Sequence, residues 1–191
     1  MLDFLRDDVS EVVTIEKLSE QNLNDSFTLA ENYAEYKDFL YKNALDYQNR
    51  FISKTYLLIE NKTRNIIAYI SLASDTVAMK PQEKKKIGID DIPFLFMPAI
   101  KITKLAVSSG YSERYKNIGS YLVAFARLQA YLVNEDFMSC RVLSVDADIE
   151  HNPGVVEFYK KNGFVPLKSN IYKRKFPHRT KIIGMWKDII D

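Results

Sequence analysis

The stretch that decides the fold begins with Ile102-Thr-Lys-Leu-Ala-Val107, an apolar run typical of a β-strand. A polar turn follows and ends in Arg114-Tyr-Lys-Asn117-Ile-Gly119, after which an amphipathic helical run extends from Ser120 to Asn134. A second strand-like run covers Arg141 to Asp146. The connection between the two strands is long enough for a right-handed crossover, so the strands are predicted to be parallel.

The second half of the stretch reads Asn152-Pro-Gly-Val-Val-Glu-Phe-Tyr-Lys-Lys-Asn-Gly-Phe164. Pro153 suits the first turn of a short helix that Asn152 caps, and Asn162-Gly163 supplies a left-handed stop. The residues between Asp146 and Gly163 are predicted to form a second crossover between parallel strands. Strand, turn, helix, strand and short helix together describe a cradle for a cofactor.

The rest of the chain predicts antiparallel flanks for this sheet. Val12 to Leu18 reads as a short strand, and Asn24 to Asp46 reads as helical, with breaks that allow two helices. Lys54 to Glu60 and Asn65 to Ala73 are β-rich runs joined by a polar connection of hairpin length.

The C-terminal side of the hairpin is less regular. Ser74 to Pro98 reads as a long exposed loop, in which Lys84-Lys-Lys86 is solvated. Further short strands are predicted over Gly163 to Lys168, Ile171 to Phe176 and Lys181 to Trp186. The sequence therefore predicts an α/β fold, with a mixed sheet flanked by helices.

Composition places the chain among ordinary globular proteins. Its 191 residues, 47% hydrophobic and 27% charged, suit a single domain over residues 1–191. No apolar run approaches the roughly 20 residues that span a bilayer, and the acidic N-terminus does not resemble a signal peptide. The single cysteine, Cys140, is expected to be a small buried side chain, and it fits a reducing cytoplasm.

The formal net charge of +2 conceals an asymmetry. Residues 1–50 contain 11 acidic and 5 basic residues, whereas Lys168 to Lys187 contains seven Lys or Arg residues and no carboxylate. A basic surface attracts anions, and both a phosphorylated cofactor and RNA are anions. A merely solvated basic tail is the alternative.

The turn before the long helical run has the features of an anion site. Backbone N–H groups at a helix N-terminus bind phosphate, and residues there need little side chain or a tolerance of positive φ. Gly119 has no Cβ, Asn117 tolerates the left-handed region better than most residues, and Arg114 adds positive charge.

These two segments resemble the GNAT superfamily of acetyl-CoA-dependent N-acetyltransferases. Arg114-x-x-Asn117-x-Gly119 is similar to the phosphate-loop pattern Gln/Arg-x-x-Gly-x-Gly/Ala, with Asn117 in place of the first glycine. The Asn152 to Phe164 segment matches Asn-x-x-Ala-x-x-Phe-Tyr-x-x-x-Gly-Phe, with Val155 for the alanine. The resemblance covers roughly Tyr56 to Trp186 and implies a three-layer fold with six to seven strands.

The resemblance also implies the site residues. The strand residues Leu105 and Val107 would pair with the pantetheine arm of acetyl-CoA, which Asn152 would also contact. The pyrophosphate would lie on the turn formed by Arg114, Lys116, Asn117, Ile118, Gly119 and Ser120. Tyr159 would be the general acid that protonates the departing CoA thiolate.

A general base is not evident from the sequence. The strand before the turn has no carboxylate, and His151 and the acids near strand ends are more typical of surface loops. An ordered water, or an acceptor amine of low pKa, would remove the need for a base. The acids concerned are Asp75, Asp146, Asp148 and Glu150.

The sequence thus favours an N-acetyltransferase in which a primary amine attacks acetyl-CoA directly. An enzyme similar to the GNAT toxins that acetylate aminoacyl-tRNA is one alternative, and a non-catalytic GNAT-fold binding module is another. Cys140, His151 and His178 lack metal-ligand spacing, so no metal is expected. The expected partners are acetyl-CoA and an unidentified amine acceptor, but not a membrane; tRNA as acceptor and a homodimer remain open.

Overall fold

The computed structural model describes residues 12–111, 114–168 and 181–190. Within these ranges a mixed sheet has the strand order β1-β2-β3-β4-β5-β7-β6, which confirms the predicted α/β fold. The strands are β1 Val13–Lys17, β2 Lys54–Glu60, β3 Ile66–Ala78, β4 Phe96–Val107, β5 Val142–Asp148, β6 Val165–Pro166 and β7 Ile182–Asp188. The predicted strand over Ile171 to Phe176 lies outside the described residues.

The helical segment in the N-terminal part of the chain begins later than the sequence predicts. Helical structure begins at Glu31 rather than Asn24, because the Asn24 and Ser26 side chains bond to the main chain: Asn24 Oδ1 accepts from Ser26 N (3.1 Å), and Ser26 Oγ accepts from Ile66 N (2.7 Å). The helices are α1 Ala34–Asp38, α2 Ala44–Asn49, α3 Pro81–Lys86, α4 Ile118–Asp136 and α5 Val155–Lys161, with a 3₁₀ turn over Glu31–Tyr33 and a π turn over Phe39–Asn43.

The chain divides into two compact units. The first contains the described residues of Met1–Ala73 and Thr103–Leu122, and the second those of Ser74–Ile102 and Val123–Asp191. The expectation of a single domain over residues 1–191 stays a prediction. In the described ranges no helix is long and apolar enough to cross a membrane.

The first unit is built on antiparallel strands. β1 pairs with β2, and β2 pairs with β3 in a hairpin. Tyr69 of β3 is fully buried at its centre; its ring contacts Phe27 edge-on (5.4 Å between centroids) and stacks on Phe39 (6.1 Å). Its hydroxyl donates to the carbonyl of Tyr36 (2.8 Å), so a polar group in this core is satisfied.

The second unit contains the parallel pair that the sequence predicts. β4 and β5 are parallel, with register pairs from Ala99↔Val142 to Ile102↔Val145. β7 lies between β5 and β6 and is antiparallel to both, so β5 and β6 have the same direction without being neighbours. β6 is only two residues long and contains Pro166, which suits the edge of a sheet because proline has no N–H to donate.

The segment expected to be a long exposed loop is largely ordered secondary structure. β3 continues to Ala78, α3 follows, and β4 begins at Phe96. Pro81 occupies the first turn of α3, and Glu83 accepts from the amides of Lys80 (2.9 Å) and Lys168 (3.0 Å). The prediction that Lys84 is solvated is wrong, since this side chain is buried. Its buried Nζ is satisfied by a hydrogen bond that it donates to the carbonyl of Ile92 (2.7 Å).

The long helix α4 buries a stripe that consists partly of small residues. The buried positions follow one another at intervals of four, at Leu122, Ala126 and Ala130, and Val123 joins them. Leu128 and Leu132, two apolar residues of the same helix, are exposed. Next to Leu122, two small alanines lie on the buried side while these two larger leucines do not, which hydrophobicity alone does not predict.

Alanine substitutions at three glycines can measure the cost of the left-handed backbone conformation in this fold. Gly163 has φ +84°, and an added Cβ would meet Lys187 Nζ at 2.7 Å, whereas Gly88 has φ +65° in open space. We expect Gly88→Ala and Gly163→Ala each to lower the free energy of unfolding by about 1–2 kcal/mol, because the left-handed region is unfavourable for alanine.

Gly110→Ala is the matched control, since Gly110 has open space and no positive φ. Its free energy of unfolding in urea should stay within about 0.5 kcal/mol of the parent. A Gly163→Ala protein as stable as Gly110→Ala would show that the left-handed stop after α5 carries no strain.

Candidate functional site

The turn before α4 depends on a left-handed residue. Asn117 has φ +67°, one of three non-glycine residues with positive φ in the described ranges. Its carbonyl accepts from the amide of Tyr121 (2.9 Å), so helical bonding begins at Asn117 and α4 begins at Ile118. Asn117 therefore adopts the left-handed conformation that its residue type was predicted to tolerate.

Three amides of the first helical turn have no protein acceptor. Within the described residues no hydrogen bond is donated by the N–H groups of Ile118, Gly119 or Ser120. Such groups carry the partial positive charge of a helix N-terminus. Gly119 and Ser120 are partly exposed, and Gly119 has no Cβ to obstruct an approaching ligand. This arrangement can bind an anion.

Arg114 does not extend freely from the turn. Its Nη1 lies 3.2 Å from Glu60 Oε1, and its guanidinium lies over the ring of Tyr115 (5.2 Å to the centroid). The side chain is nevertheless 62% exposed, so most of its donors remain accessible. Lys116, also predicted for this site, is exposed.

Glu60, which the sequence reasoning did not single out, lies against this turn and is bonded to Tyr115 and Arg114. Its carboxylate is 3% exposed and accepts hydrogen bonds from Thr63 Oγ1 (2.5 Å) and Tyr115 Oη (2.7 Å). These two bonds, the one from Thr63 first, and then the charge of Arg114 lower its pKa despite burial. No sequence signal indicates this role, because Glu60 ends a strand more than fifty residues before Arg114.

Leu105 and Val107 lie near the end of β4. The register of β4 with β5 ends at Ile102, so both residues follow the last register pair. Main-chain groups of a strand that continues past its partner can pair with an extended ligand. At the end of β4, Ser108 N donates to the carbonyl of Ile67 (2.8 Å).

Asn152 precedes α5 rather than capping it. The helix begins at Val155 with Gly154 as its N-cap residue, so the predicted positions of Asn152 and Pro153 are wrong by two residues. Asn152 Oδ1 accepts from the amide of Gly154 (3.0 Å), which forms an Asx turn ahead of the helix. The amide nitrogen of the Asn152 side chain is not used in this turn.

Tyr159 is held in an aromatic cluster. Its ring contacts Phe158 (5.0 Å between centroids) and Phe164 (5.2 Å), and the residue is 5% exposed. Burial raises the pKa of its hydroxyl, which therefore keeps its proton across the physiological range. In the described part of the chain this hydroxyl makes no hydrogen bond, so it can donate to a ligand. The predicted stop at Gly163 is confirmed by its φ of +84°.

Two of the candidate bases, Asp75 in β3 and Asp146 in β5, each contact a polar side chain. Asp75 Oδ2 accepts from Ser144 Oγ (2.5 Å), and Asp146 Oδ2 lies 2.7 Å from Lys101 Nζ. Neither acid is an unpaired base.

The remaining candidates lie at the end of β5 and in the turn that follows it. His151 Nδ1 is 2.6 Å from Asp148 Oδ2, and Asp148 Oδ1 accepts from the amides of Glu150 (3.1 Å) and His151 (3.2 Å). Glu150 itself pairs with Lys181. All five candidate bases therefore contact another side chain.

Solved structures that are similar to this chain cover nearly its whole length. AtaT complexed with acetyl-methionyl-tRNAfMet is 22% identical, with 90% of this chain and 93% of that one covered and a TM-score of 0.67. AtaTR bound with acetyl-CoA is 18% identical (94% and 95% covered, TM-score 0.67). A Tyr-to-Phe variant of KacT is 19% identical (94% and 96% covered, TM-score 0.69).

The protein has the GNAT fold. At these identities the likeness concerns the fold alone. No family model matches the sequence, and no curated protein gives a significant match. Of the predicted site residues, those from Leu105 to Ser120 belong to the first unit, and Asn152 and Tyr159 belong to the second.

The conformation of Asn117 leads to a stability test. Asn117→Gly keeps positive φ accessible, so its free energy of unfolding should stay within about 0.5 kcal/mol of the parent. Asn117→Val should lose about 1–3 kcal/mol, because a β-branched residue strongly disfavours the left-handed region. Urea denaturation measures both variants, and equal stability of the two would contradict the assigned backbone conformation.

Proposed function

We propose that this protein is an N-acetyltransferase that transfers the acetyl group of acetyl-CoA to a primary amine. The observation that carries the proposal is the turn at Asn117, where the unpaired amides of Ile118, Gly119 and Ser120 begin a 19-residue helix. The GNAT fold supports it, and so does the structure of AtaTR, which contains acetyl-CoA.

In this proposal the Asn117 turn binds the pyrophosphate of acetyl-CoA. The three amides donate to phosphate oxygens, and the helix N-terminus adds partial positive charge. Arg114 and Lys116 are exposed cations on the same turn and add to the attraction. Asn117 itself is assigned to the site through its main chain, which sets the direction of the amides.

The pantetheine arm is assigned to three residues. Its amides are suited to pair with the main chain of β4 at Leu105 and Val107, beyond the register with β5. Asn152 is assigned to the same arm through its side-chain amide nitrogen, because its Oδ1 already accepts from Gly154.

Tyr159 is proposed as the general acid. As the amine nitrogen bonds to the acetyl carbon and the C–S bond breaks, the nitrogen loses a proton and the CoA sulfur takes one. A neutral tyrosine hydroxyl can supply the proton to sulfur. Tyr159 fits this task because burial raises its pKa and no protein acceptor uses its proton in the described residues.

Deprotonation of the amine is assigned to water or to the acceptor itself. An acceptor of low pKa is already neutral at physiological pH and needs no base. The α-amine of an aminoacyl ester has this property, and AtaT has been solved with acetyl-methionyl-tRNA. Aminoacyl-tRNA is therefore the more specific candidate acceptor. The basic residues proposed to contact it are Lys173, Arg174, Lys175, Arg179 and Lys181. The first four lie outside the described residues, and Lys181 pairs with Glu150.

The proposal includes a cytoplasmic location, where acetyl-CoA is made available to such enzymes. Self-association into a homodimer remains open. The competing proposal is a GNAT-fold module that binds a partner and does not catalyse. Its support is the departure at Asn117 together with the lack of an evident general base. Titration with acetyl-CoA separates the two proposals, because the module would bind it weakly or not at all.

Gly119→Glu is expected to abolish acetyl-CoA binding. The new side chain adds bulk and negative charge beside the pyrophosphate, and a glutamate in the first turn of a helix does not disfavour folding. Isothermal titration should detect binding to the parent and none to the variant. Gly110→Glu is the matched control: it adds the same charge where nothing lies within 4 Å, and should bind normally. Equal affinity of both variants would remove the site.

Tyr159→Phe is expected to lower kcat by about 10²–10⁴, because it removes a positioned general acid while keeping the ring and its contacts. The KM for acetyl-CoA should change little. Steady-state kinetics would use the acceptor found by screening small amines, peptides and aminoacyl-tRNA, with melting curves for both proteins. Tyr121→Phe, in α4, is the control. A near-parental kcat in Tyr159→Phe would leave Tyr159 a packing residue.

A further inference from the structure

The β2–β3 hairpin contacts the segment that leads into the Asn117 turn. Glu60, the last residue of β2, accepts from Tyr115 Oη (2.7 Å) and pairs with Arg114 Nη1 (3.2 Å). Thr63, within the hairpin, donates to the second carboxylate oxygen (2.5 Å). We name this set of contacts, made by Glu60, Thr63, Arg114 and Tyr115, the hairpin–turn link.

The link is built from buried polar groups. A carboxylate that is 3% exposed loses most of its hydration, and this cost is large unless charged or hydroxyl donors replace the water. Both carboxylate oxygens of Glu60 have such donors. The bond from Thr63 lies within the hairpin and connects only hairpin residues. The contacts with Tyr115 and Arg114 instead connect the hairpin to the segment before α4.

A second contact joins the same two segments. Tyr111 stacks on Tyr115 with nearly parallel rings (6.0 Å between centroids, 10° between planes). The hydroxyl of Tyr111 accepts from Asn65 Nδ2 (2.9 Å), at the start of β3. Of these two tyrosines, Tyr115 is the one whose hydroxyl bonds to the Glu60 carboxylate, which also pairs with Arg114.

We infer that Glu60 is a positioning residue for the pyrophosphate of acetyl-CoA. It fixes Arg114 and Tyr115 from below the turn, so that Asn117 keeps its positive φ and the amides of Ile118 to Ser120 stay convergent. This inference rests on the proposed function. Glu60 does not touch the ligand in this account and acts through its two partners.

The exposure of Arg114 explains why the link helps binding. One guanidinium nitrogen contacts Glu60, and a side chain that is 62% exposed keeps other N–H groups for phosphate oxygens. A cation whose orientation is already fixed loses less conformational entropy when the ligand binds. The same holds for a loop that is already in its bound conformation.

The test uses Glu60→Gln, Tyr115→Phe and the double variant. Gln keeps the shape of the side chain and removes its charge, and Phe keeps the ring and removes the hydroxyl. Each single variant should raise the Kd for acetyl-CoA about tenfold, and the double variant should also lie near tenfold, because both changes break one link. At saturating acetyl-CoA, kcat should stay within about twofold of the parent.

Two matched controls separate positioning from general damage. Tyr111→Phe removes a hydroxyl from the other ring of the stacked pair, and Glu16→Gln removes a carboxylate that pairs with Arg64 Nη2 (2.8 Å). Both should bind acetyl-CoA as the parent does. Unchanged affinity in Glu60→Gln and Tyr115→Phe, additive losses in the double variant, or an equal loss in the controls would overturn the inference.

A ligand-free measurement distinguishes failure of this inference from failure of the proposed function. The amide of Tyr121 donates to the carbonyl of Asn117, and its hydrogen-exchange protection reports on the turn without acetyl-CoA. Protection should fall about tenfold in Glu60→Gln and Tyr115→Phe, and not at the amide of Leu167, which donates to Gly184. A parent that does not bind acetyl-CoA would refute the proposed function, and unchanged Tyr121 protection would refute the positioning role.

Discussion

The left-handed conformation of Asn117 is the constraint on which the candidate site depends. A helix starts immediately after this residue, and within the described residues the first three amides of that helix have no protein acceptor. Asparagine adopts this conformation at lower cost than most residues. The hairpin–turn link involves Arg114 and Tyr115, which lie shortly before Asn117 in the chain. The buried carboxylate of Glu60 is thus bonded to the same turn that contains the left-handed residue.

The distribution of charge agrees with chemistry that needs no strong base. Each candidate base in the described residues contacts another side chain, and Asp146 forms an ion pair with Lys101. Tyr159 has the opposite character: burial raises its pKa and keeps it protonated. In the proposed reaction Tyr159 is the proton donor and no side chain is assigned as base, so the proposal favours an acceptor amine that is already neutral.

Local signals made several parts of the fold predictable. β2 has the predicted bounds, Lys54–Glu60, because β-branched and aromatic residues are flanked by polar turns. Gly163 and Asn117 have the backbone conformations that their residue types favour. The helix after Asn152 was displaced by two residues, because the Asx turn of Asn152 competes with the cap that the same side chain would form.

The sequence by itself determined the α/β class, the parallel pair β4–β5 and the residues of the Asn117 turn, since these depend on local pattern and spacing. Tertiary structure alone decided the position of β7 between β5 and β6, the burial of Lys84 and the partners of Glu60. Each of these features depends on contacts that form only when the chain folds, either between distant segments or by burial of a side chain that the sequence pattern places in solvent. A carboxylate at the end of a strand has no local signal for a tyrosine 55 residues later, so its role becomes visible only when the chain is folded.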